Sequence, residues 1–373
     1  NGSMSKNMKI AIFHNYMDNI GGAELVDLIM AKELGADIYT TNIDKEKIEK
    51  MGFSTENIFS IGKIPINAPF RQEVAYWKFR NLNLKDKYDF YIIAGDWAMS
   101  AAVHNKPNLW YVYSPIRELY DLNKYIRKNI VPSVYLGKLN RYIFDVWVFY
   151  RKFFNKLDIK HVQKIVCISK NVQGRVKKYL KRDSNIIYPP TQTQKYYYQK
   201  NGDFWLSVNR LVANKRVDIQ LKAFSKIPDE KLVIVGSYEN SEHFKKYADL
   251  CKKIKPENVE IKSWVKEEEL LSLYANCKGF LTTSIDEDYG MTPVEAMASG
   301  KPVIAPNEGG YKETIINNKT GILIDNINPE KLAEAIKVLG KNPERYKTAC
   351  QEQAVKFSTK AFIEKIKTAL FSF

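Results

Sequence analysis

At 373 residues the chain is too long for one small core and suits two domains. Hydrophobic residues at 45% and charged ones at 27% give a globular composition and exclude a disordered chain. A formal net charge of +16 asks for an anionic partner: nucleic acid, an anionic membrane surface or phosphorylated substrates. No apolar run approaches bilayer-spanning length, and no charged-plus-apolar leader precedes the first strand, so a cytoplasmic protein is expected. Cys167, Cys251, Cys277 and Cys350 are scattered with no CxxC pair. Buried free thiols in a reducing compartment fit that spacing better than a zinc site.

Strand-like and helical runs alternate along the chain, the pattern of parallel sheets covered on both faces. A continuous apolar strand at 8–13 (MKIAIF) ends in a polar loop, and Gly21-Gly22 opens a helix at 23–34. Further strands are expected at 37–39, 90–94, 109–113 and 164–168. Ser169 then caps a helix through Tyr179, and a strand at 185–188 runs into Pro189-Pro190, which continues neither regular element. The polar, tyrosine-rich 191–201 reads as a linker. The rhythm restarts with strands at 204–208, 231–235, 259–263, 280–283 and 302–305. Helices are expected at 218–225, 329–339, 343–357 and, amphipathic, at 359–373. The domains are therefore 4–188 and 202–357, joined by 189–201 and followed by a terminal helix at 358–373.

The run 285–310, IDEDYGMTPVEAMASGKPVIAPNEGG, carries the most chemistry. Thr292 reads as an N-cap, Pro293 as the first helical residue and Glu295 as the third. A helix start of this kind offers N–H groups and a dipole to an anion, while Glu287 and Glu295 hold hydroxyls around it. By itself, Thr292-x-x-Glu295 is equally a capping box. Asp286-Glu287-Asp288 also mimics a DxD metal motif. After the first strand of the second half, Arg210 and Lys215 in SVNRLVANKR are either solvated cations or phosphate ligands, a planar fork and a point charge.

The 285–310 run closely resembles the E-x7-E region of the retaining GT4 glycosyltransferases, with its small-residue helix, Lys-Pro-Val-Ile-Ala strand and Gly-Gly loop. Arg210 and Lys215 match that family's R-x4-K pair, and GGAE at Gly21-Gly22 resembles its first phosphate-side loop. The resemblance implies a GT-B fold, two Rossmann-like doubly wound domains facing a cleft, with the terminal helix crossing back onto the first domain. It implies Arg210 and Lys215 on the donor diphosphate, Glu287 on the donor sugar and Glu295 on the ribose. The N–H groups of Tyr289, Gly290, Met291 and Thr292 would face phosphate and sugar. Gly236, Ser237, Trp264 and Val265, at strand ends, would meet the base. No metal and no cofactor beyond the nucleotide sugar is implied, which demotes the DxD reading.

In the first half, YVYSPIRELYD at 111–121 resembles the family's Y-x-H-x-P-x-R-x-L-Y-D segment, but Tyr113 stands where many relatives have histidine. Tyrosine is a poor base near neutral pH. Either the departing phosphate takes the acceptor proton, which we favour, or another group serves. His14 and Asp96, both after strands, are the spare candidates, with a structural role as the competing reading. Arg117 binds an acceptor phosphate or pairs with Glu118 or Asp121.

The stretch 124–160 interleaves Lys124, Arg127, Lys128, Lys138, Arg141, Arg151, Lys152 and Lys156 with Tyr125, Tyr135, Tyr142, Phe144, Trp147, Phe149, Tyr150, Phe153 and Phe154. Cations among amphipathic rings suit an anionic headgroup layer; a helical hairpin packing its aromatics inward is the competing reading. YSPIRELYD and IIYPPT look like segments of mannosyltransferases acting on lipid-linked or polysaccharide glycans. GDP-mannose is accordingly the leading donor, with a UDP-hexose second, and the acceptor is expected at the inner face of the cell membrane. Other readings are a glucosyltransferase, an epimerase, a lapsed sugar-binding protein, or a nucleic-acid binder. The last lacks a recognisable binding module.

Overall fold

The computed structural model describes residues 8–66, 70–129, 138–236, 242–263 and 265–372. The chain divides into two compact units, one of Asn1–Tyr188 with Ile363–Phe373 and the other of Pro189–Phe362. Each is an α/β layer structure built on an all-parallel sheet.

The first unit has a seven-stranded sheet in the order β3-β2-β1-β4-β5-β6-β7. These strands are β1 (Ile10–Phe13), β2 (Asp37–Thr40), β3 (Ile58–Ser60), β4 (Phe90–Ile93), β5 (Asn108–Val112), β6 (Lys164–Cys167) and β7 (Asn185–Ile186). Every pairing is parallel, with Ile12 opposite Ile92 at the centre. Strands β1, β4 and β5 are buried along their whole length, because helices cover both faces of such a sheet. That is why they read as unbroken apolar runs. The strand order reverses between β1 and β4. Loops leaving their carboxyl ends there form the crevice in which α/β sheets bind ligands, and His14 and Asp96 lie on those loops.

The second unit has a six-stranded sheet, β10-β9-β8-β11-β12-β13. Its strands are β8 (Phe204–Val208), β9 (Lys231–Val235), β10 (Val259–Lys262), β11 (Gly279–Leu281), β12 (Val303–Pro306) and β13 (Gly321–Ile324), all paired in parallel. Its reversal lies between β8 and β11, and Lys215 and Glu287 follow those two strands. Residues of the expected linker are laced onto this unit. Thr191 N donates to the Phe357 carbonyl at 2.8 Å, and the Asn201 amide to the Lys278 carbonyl at 3.0 Å.

Several elements differ from the sequence expectation. The short strands β3 and β13 and the helices Lys45–Lys50 and Phe70–Arg80 were not anticipated, being too short or too weakly periodic to stand out. The expected helix at 343–357 splits into a 3-10 turn, Pro343–Tyr346, and a helix, Lys347–Val355. Ser169 does cap its helix, accepting from Val172 N, and the helix Lys170–Arg175 then widens into a π-turn, Val176–Leu180. In the terminal helix Thr359–Phe371, the last turns belong to the first unit, where Lys164 Nζ donates to the Ala369 carbonyl at 2.8 Å.

Candidate active site

In the second unit the loops after β8 and β11 are stitched together. Arg216 takes a left-handed backbone, φ 49°, at the end of the 3-10 turn Ala213–Lys215. Its guanidinium donates to the carbonyls of Thr283 at 2.6 Å and Ser284 at 3.2 Å and pairs with Glu308. The Thr283 hydroxyl answers by donating to the carbonyls of Lys215 at 2.7 Å and Arg216 at 3.0 Å, while accepting from the Gln220 amide at 2.9 Å. Ile285 N adds a bond to the Asn214 carbonyl at 2.9 Å. The result brings Lys215 Nζ to 2.5 Å from Glu287 Oε2, both half-buried.

The Gly-Gly loop closes on the same segment from the other side. Gly310 N donates to the Glu287 carbonyl at 2.8 Å. A Cβ on Gly309 would sit 2.7 Å from Glu287 N, and one on Gly310 2.5 Å from Tyr289 Cα. Only glycine allows that approach. Asp286 turns the backbone at φ 42°, a left-handed conformation that aspartate tolerates better than most residues.

One expectation is corrected here. Thr292 is not the N-cap: the helix runs Met291–Ala298, and Gly290, at φ 83°, precedes it. Glycine takes that left-handed backbone without strain, and a Cβ at Gly290 would sit 2.6 Å from the Tyr311 ring, so the helix starts earlier than the threonine suggested. Pro293 is then the third helical residue and Glu295 the fifth, too far along to close a capping box. No side chain caps the helix start by a hydrogen bond, and a helix start of this kind is where an anion can bind. The Glu295 carboxylate instead accepts from the Tyr274 hydroxyl at 2.8 Å and is hydrogen-bonded by Tyr196. Burial raises its pKa, and the two phenols oppose the rise. A carboxylate has about four lone-pair sites, so two tyrosines leave room for further hydroxyls.

Of the remaining donor-side candidates, Arg210 is exposed just beyond β8, and Val265 is half-buried beyond β10. Gly236 ends β9, its N–H on the Lys262 carbonyl at 2.9 Å. The Tyr289 ring is core, packed edge-on against Phe357 at 6.1 Å, so only its backbone can serve a ligand. Ser237 and Trp264 lie outside the described residues.

In the first unit the sequence-predicted acceptor residues fall into two buried networks. His14 bridges two carboxylates, Nδ1 to Asp27 Oδ2 at 2.5 Å and Nε2 to Glu24 Oε1 at 3.0 Å. Tyr113 donates to the other Asp27 oxygen at 2.6 Å, and Glu24 accepts from Gly21 N at 2.8 Å. The chain of contacts thus runs from Tyr113 to the Gly21-Gly22 turn at the start of helix Gly22–Leu34. Burial alone would push the His14 pKa down, but Asp27 and Glu24 overcome it and raise it to about 10. Burial, then the Asp27 charge, pushes the Tyr113 phenol well above its ordinary value. It donates a hydrogen bond to Asp27, keeps its proton and so cannot act as a base.

Asp96 heads the second network, accepting from the Asn15 amide at 2.6 Å, with burial raising its pKa. Arg117 pairs with Asp121, Nη2 to Oδ2 at 2.7 Å, in favour of the pairing reading. Sequence reasoning missed Glu118 as a site residue. Burial, and then the charge of Asp96, raises its pKa to about 7.

Residues 190–357 match the family model for glycosyl transferases group 1. The alpha-1,3/1,6-mannosyltransferase ALG2 of Candida glabrata is 27% identical over 98% of this chain and 93% of its own length. The chain is thus similar to the GT4-like glycosyltransferases, to their family model through residues 190–357 and to this mannosyltransferase over nearly its whole length. An uncharacterized glycosyltransferase of Methanocaldococcus jannaschii is 31% identical, and the match spans 60% of that protein's length. HepE of Anabaena, solved with UDP-glucose, superposes with a TM-score of 0.75 over 98% of this chain and 100% of its own, at 17% identity. That likeness establishes the GT-B fold.

Glu24 and Asp27 in the first unit, and Arg216 and Glu308 in the second, are residues the sequence reading passed over. Asp27 had a visible signal, a carboxylate inside the apolar run LVDLIM with no exposed face to occupy. Arg216 had none, because its role depends on carbonyls contributed by a loop 67 residues away.

Two outcomes follow from the geometry. Because the folded-state pKa of His14 lies above its ordinary 6.5, its stabilisation is complete below that value and is lost as pH rises through about 10. The melting temperature should therefore fall between pH 7 and 10, and His14→Gln should flatten that part of the profile measured by circular dichroism. Lys215→Ala and Glu287→Ala should each lower turnover by orders of magnitude with an unchanged far-ultraviolet spectrum; near-normal turnover in both would remove these residues from the site.

Proposed function

We propose that this glycosyltransferase is a retaining, metal-independent hexosyltransferase that takes mannose from GDP-mannose and delivers it to a lipid-linked or polysaccharide glycan. The observation that carries the reading is the Lys215–Glu287 contact at 2.5 Å, held by loops from the two strands flanking the sheet's reversal. Transfer needs negative charge stabilised on a departing diphosphate. Lys215 and Arg210 supply the cations, and the open start of helix Met291–Ala298 supplies N–H donors. Glu287 accepts hydroxyls of the donor sugar, and the spare lone pairs of Glu295 accept the ribose.

The state of Tyr113 supports a front-face reaction. Its phenolic proton is held by Asp27, so the departing phosphate takes the acceptor proton as the new glycosidic bond forms on the same face. The mannosyl group is drawn from the relatives named alpha-1,3/1,6-mannosyltransferase, and the GDP carrier and glycan acceptor from the family resemblance of the sequence. Among the described residues no helix is long and apolar enough to cross a membrane. We place the enzyme at the inner face of the cell membrane as a peripheral protein, its basic, aromatic 124–160 region toward anionic lipid.

A thermal-shift series tests donor and metal together. GDP-mannose should raise the melting temperature more than UDP-glucose, with no added effect of a divalent cation. A larger shift with UDP-glucose would move the assignment to a UDP-hexose, and a cation requirement would restore the DxD reading. Glu295→Ala should lose most of the nucleotide-induced shift while slowing chemistry less; a full shift in that variant would reduce Glu295 to a structural role.

A further inference from the structure

Helix Lys138–Asp158 is apolar on two faces, where a surface helix needs only one. Its inner face packs Phe144, Trp147 and Phe154 against the cluster of Tyr76, Trp97, Ile116, Leu119 and Val148. Its outer face leaves Tyr142, Ile143, Val146, Phe149, Tyr150 and Phe153 exposed, Phe149 to 77% and Tyr142 to 69%. At about 100° per residue these fall within roughly a third of the circumference.

The helix cannot roll to hide them. Glu73 holds it at two levels, accepting from Trp147 Nε1 at 2.6 Å and pairing with Arg151 Nε at 2.6 Å. The buried Arg151 guanidinium also lies over the Tyr76 ring at 4.1 Å. Lower down, Asn155 accepts from the Tyr120 hydroxyl at 2.8 Å and Asp158 from the Tyr76 hydroxyl at 2.6 Å. The neighbouring helix Phe70–Arg80, in contact through Trp77 and Phe154 at 5.7 Å, adds the exposed rings of Phe70 and Trp77.

The border of this face is basic. Lys156 and Lys160 are exposed, and Lys152 is half-exposed. The acids of the helix are both engaged, Asp145 with Arg127 at 2.8 Å and Asp158 inside the fold. Aromatic rings flanked by lysines match a layer with an apolar interior and anionic headgroups. We infer that the outer face of helix Lys138–Asp158 is the surface by which the first unit docks on an anionic lipid bilayer, its rings at the headgroup–acyl boundary and its lysines among the phosphates. This rests on the proposed membrane-borne acceptor and narrows the 124–160 region to one face. Tyr135 of that region, and the side chains of Tyr125, Lys128 and Lys138, lie outside the described residues.

The test is flotation of the full chain with phosphatidylcholine vesicles, pure or containing about one third phosphatidylglycerol, at an ionic strength near the physiological value, where exposed charges still act over about 8 Å. The protein should float with the anionic vesicles, and Phe149→Asp with Phe153→Asp should cut the bound fraction at least tenfold while leaving the melting temperature and nucleotide binding unchanged. In addition, Phe149→Trp should gain fluorescence that brominated lipid quenches. Undiminished flotation of the double variant would overturn the assignment of this face while leaving peripheral binding intact. Failure of the unaltered protein to float with either vesicle would remove the membrane-borne acceptor as well. A dimer in sedimentation velocity that the double variant dissociates, with flotation unchanged, would make the face a contact between copies instead.

Discussion

The geometry around Lys215 and Glu287 depends on Arg216 being able to satisfy three acceptors at once. Two are backbone carbonyls at the end of β11 and the third is the Glu308 carboxylate beside the Gly-Gly loop. A guanidinium fork is planar and permanently charged, so it fixes direction as well as distance. The left-handed backbone at Arg216 is the conformational cost of aiming it, offset by the Thr283 hydroxyl bonding back to the Lys215 and Arg216 carbonyls. Three loops become one rigid rim. Lys215 and Glu287 face each other as a consequence of that rim; their own ion pair is half-exposed, and such pairs contribute only modestly to stability.

The first unit solves a related problem with buried charge. Helix Gly22–Leu34 carries Asp27 on a face with no access to water, and an unpaired carboxylate there would cost several kcal/mol. His14 and Tyr113 share it, and His14 passes the constraint on to Glu24 and so to the Gly21 N–H. Tyrosine at position 113 therefore has a definite physical role in this chain: it supplies the hydroxyl donor that Asp27 requires. The same demand takes it out of proton chemistry.

Helix Lys138–Asp158 shows how one interleaved sequence serves two environments. Phe144, Trp147 and Phe154 belong to the core and Tyr142, Val146, Phe149 and Phe153 to the outside. The inward-packing reading of the basic aromatic stretch holds for the first set, and the second set is exposed. Arg151, which counted among the cations available to an anionic partner, is buried and pinned by Glu73. Rotational phase on a helix separates the two sets, and phase is set by what the helix packs against.

Local pattern was enough for the central strands of both sheets, though not for the edge strands β3 and β13. Unbroken apolar strands such as IAIF, FYII and KLVIV alternate with amphipathic helices, and that period alone implies covered parallel sheets. Glu287, Glu295, Arg210 and Lys215 stood out only through the family resemblance of the E-x7-E and R-x4-K spacings, because by themselves a carboxylate near a helix start reads as a cap and cations after a strand read as solvated charge. What stayed hidden depended on distant backbone. The start of helix Met291–Ala298 moved from Thr292 to Gly290, since a left-handed cap is chosen by the loop packed against Tyr311 and not by threonine's preference. Arg216, Glu308, Glu24 and Glu118 acquired roles only when chain segments far apart in sequence met. Sequence by itself determined which residue types sit near which strand ends; the tertiary structure decided which of them touch, because hydrogen-bond partners and burial are properties of neighbours in space.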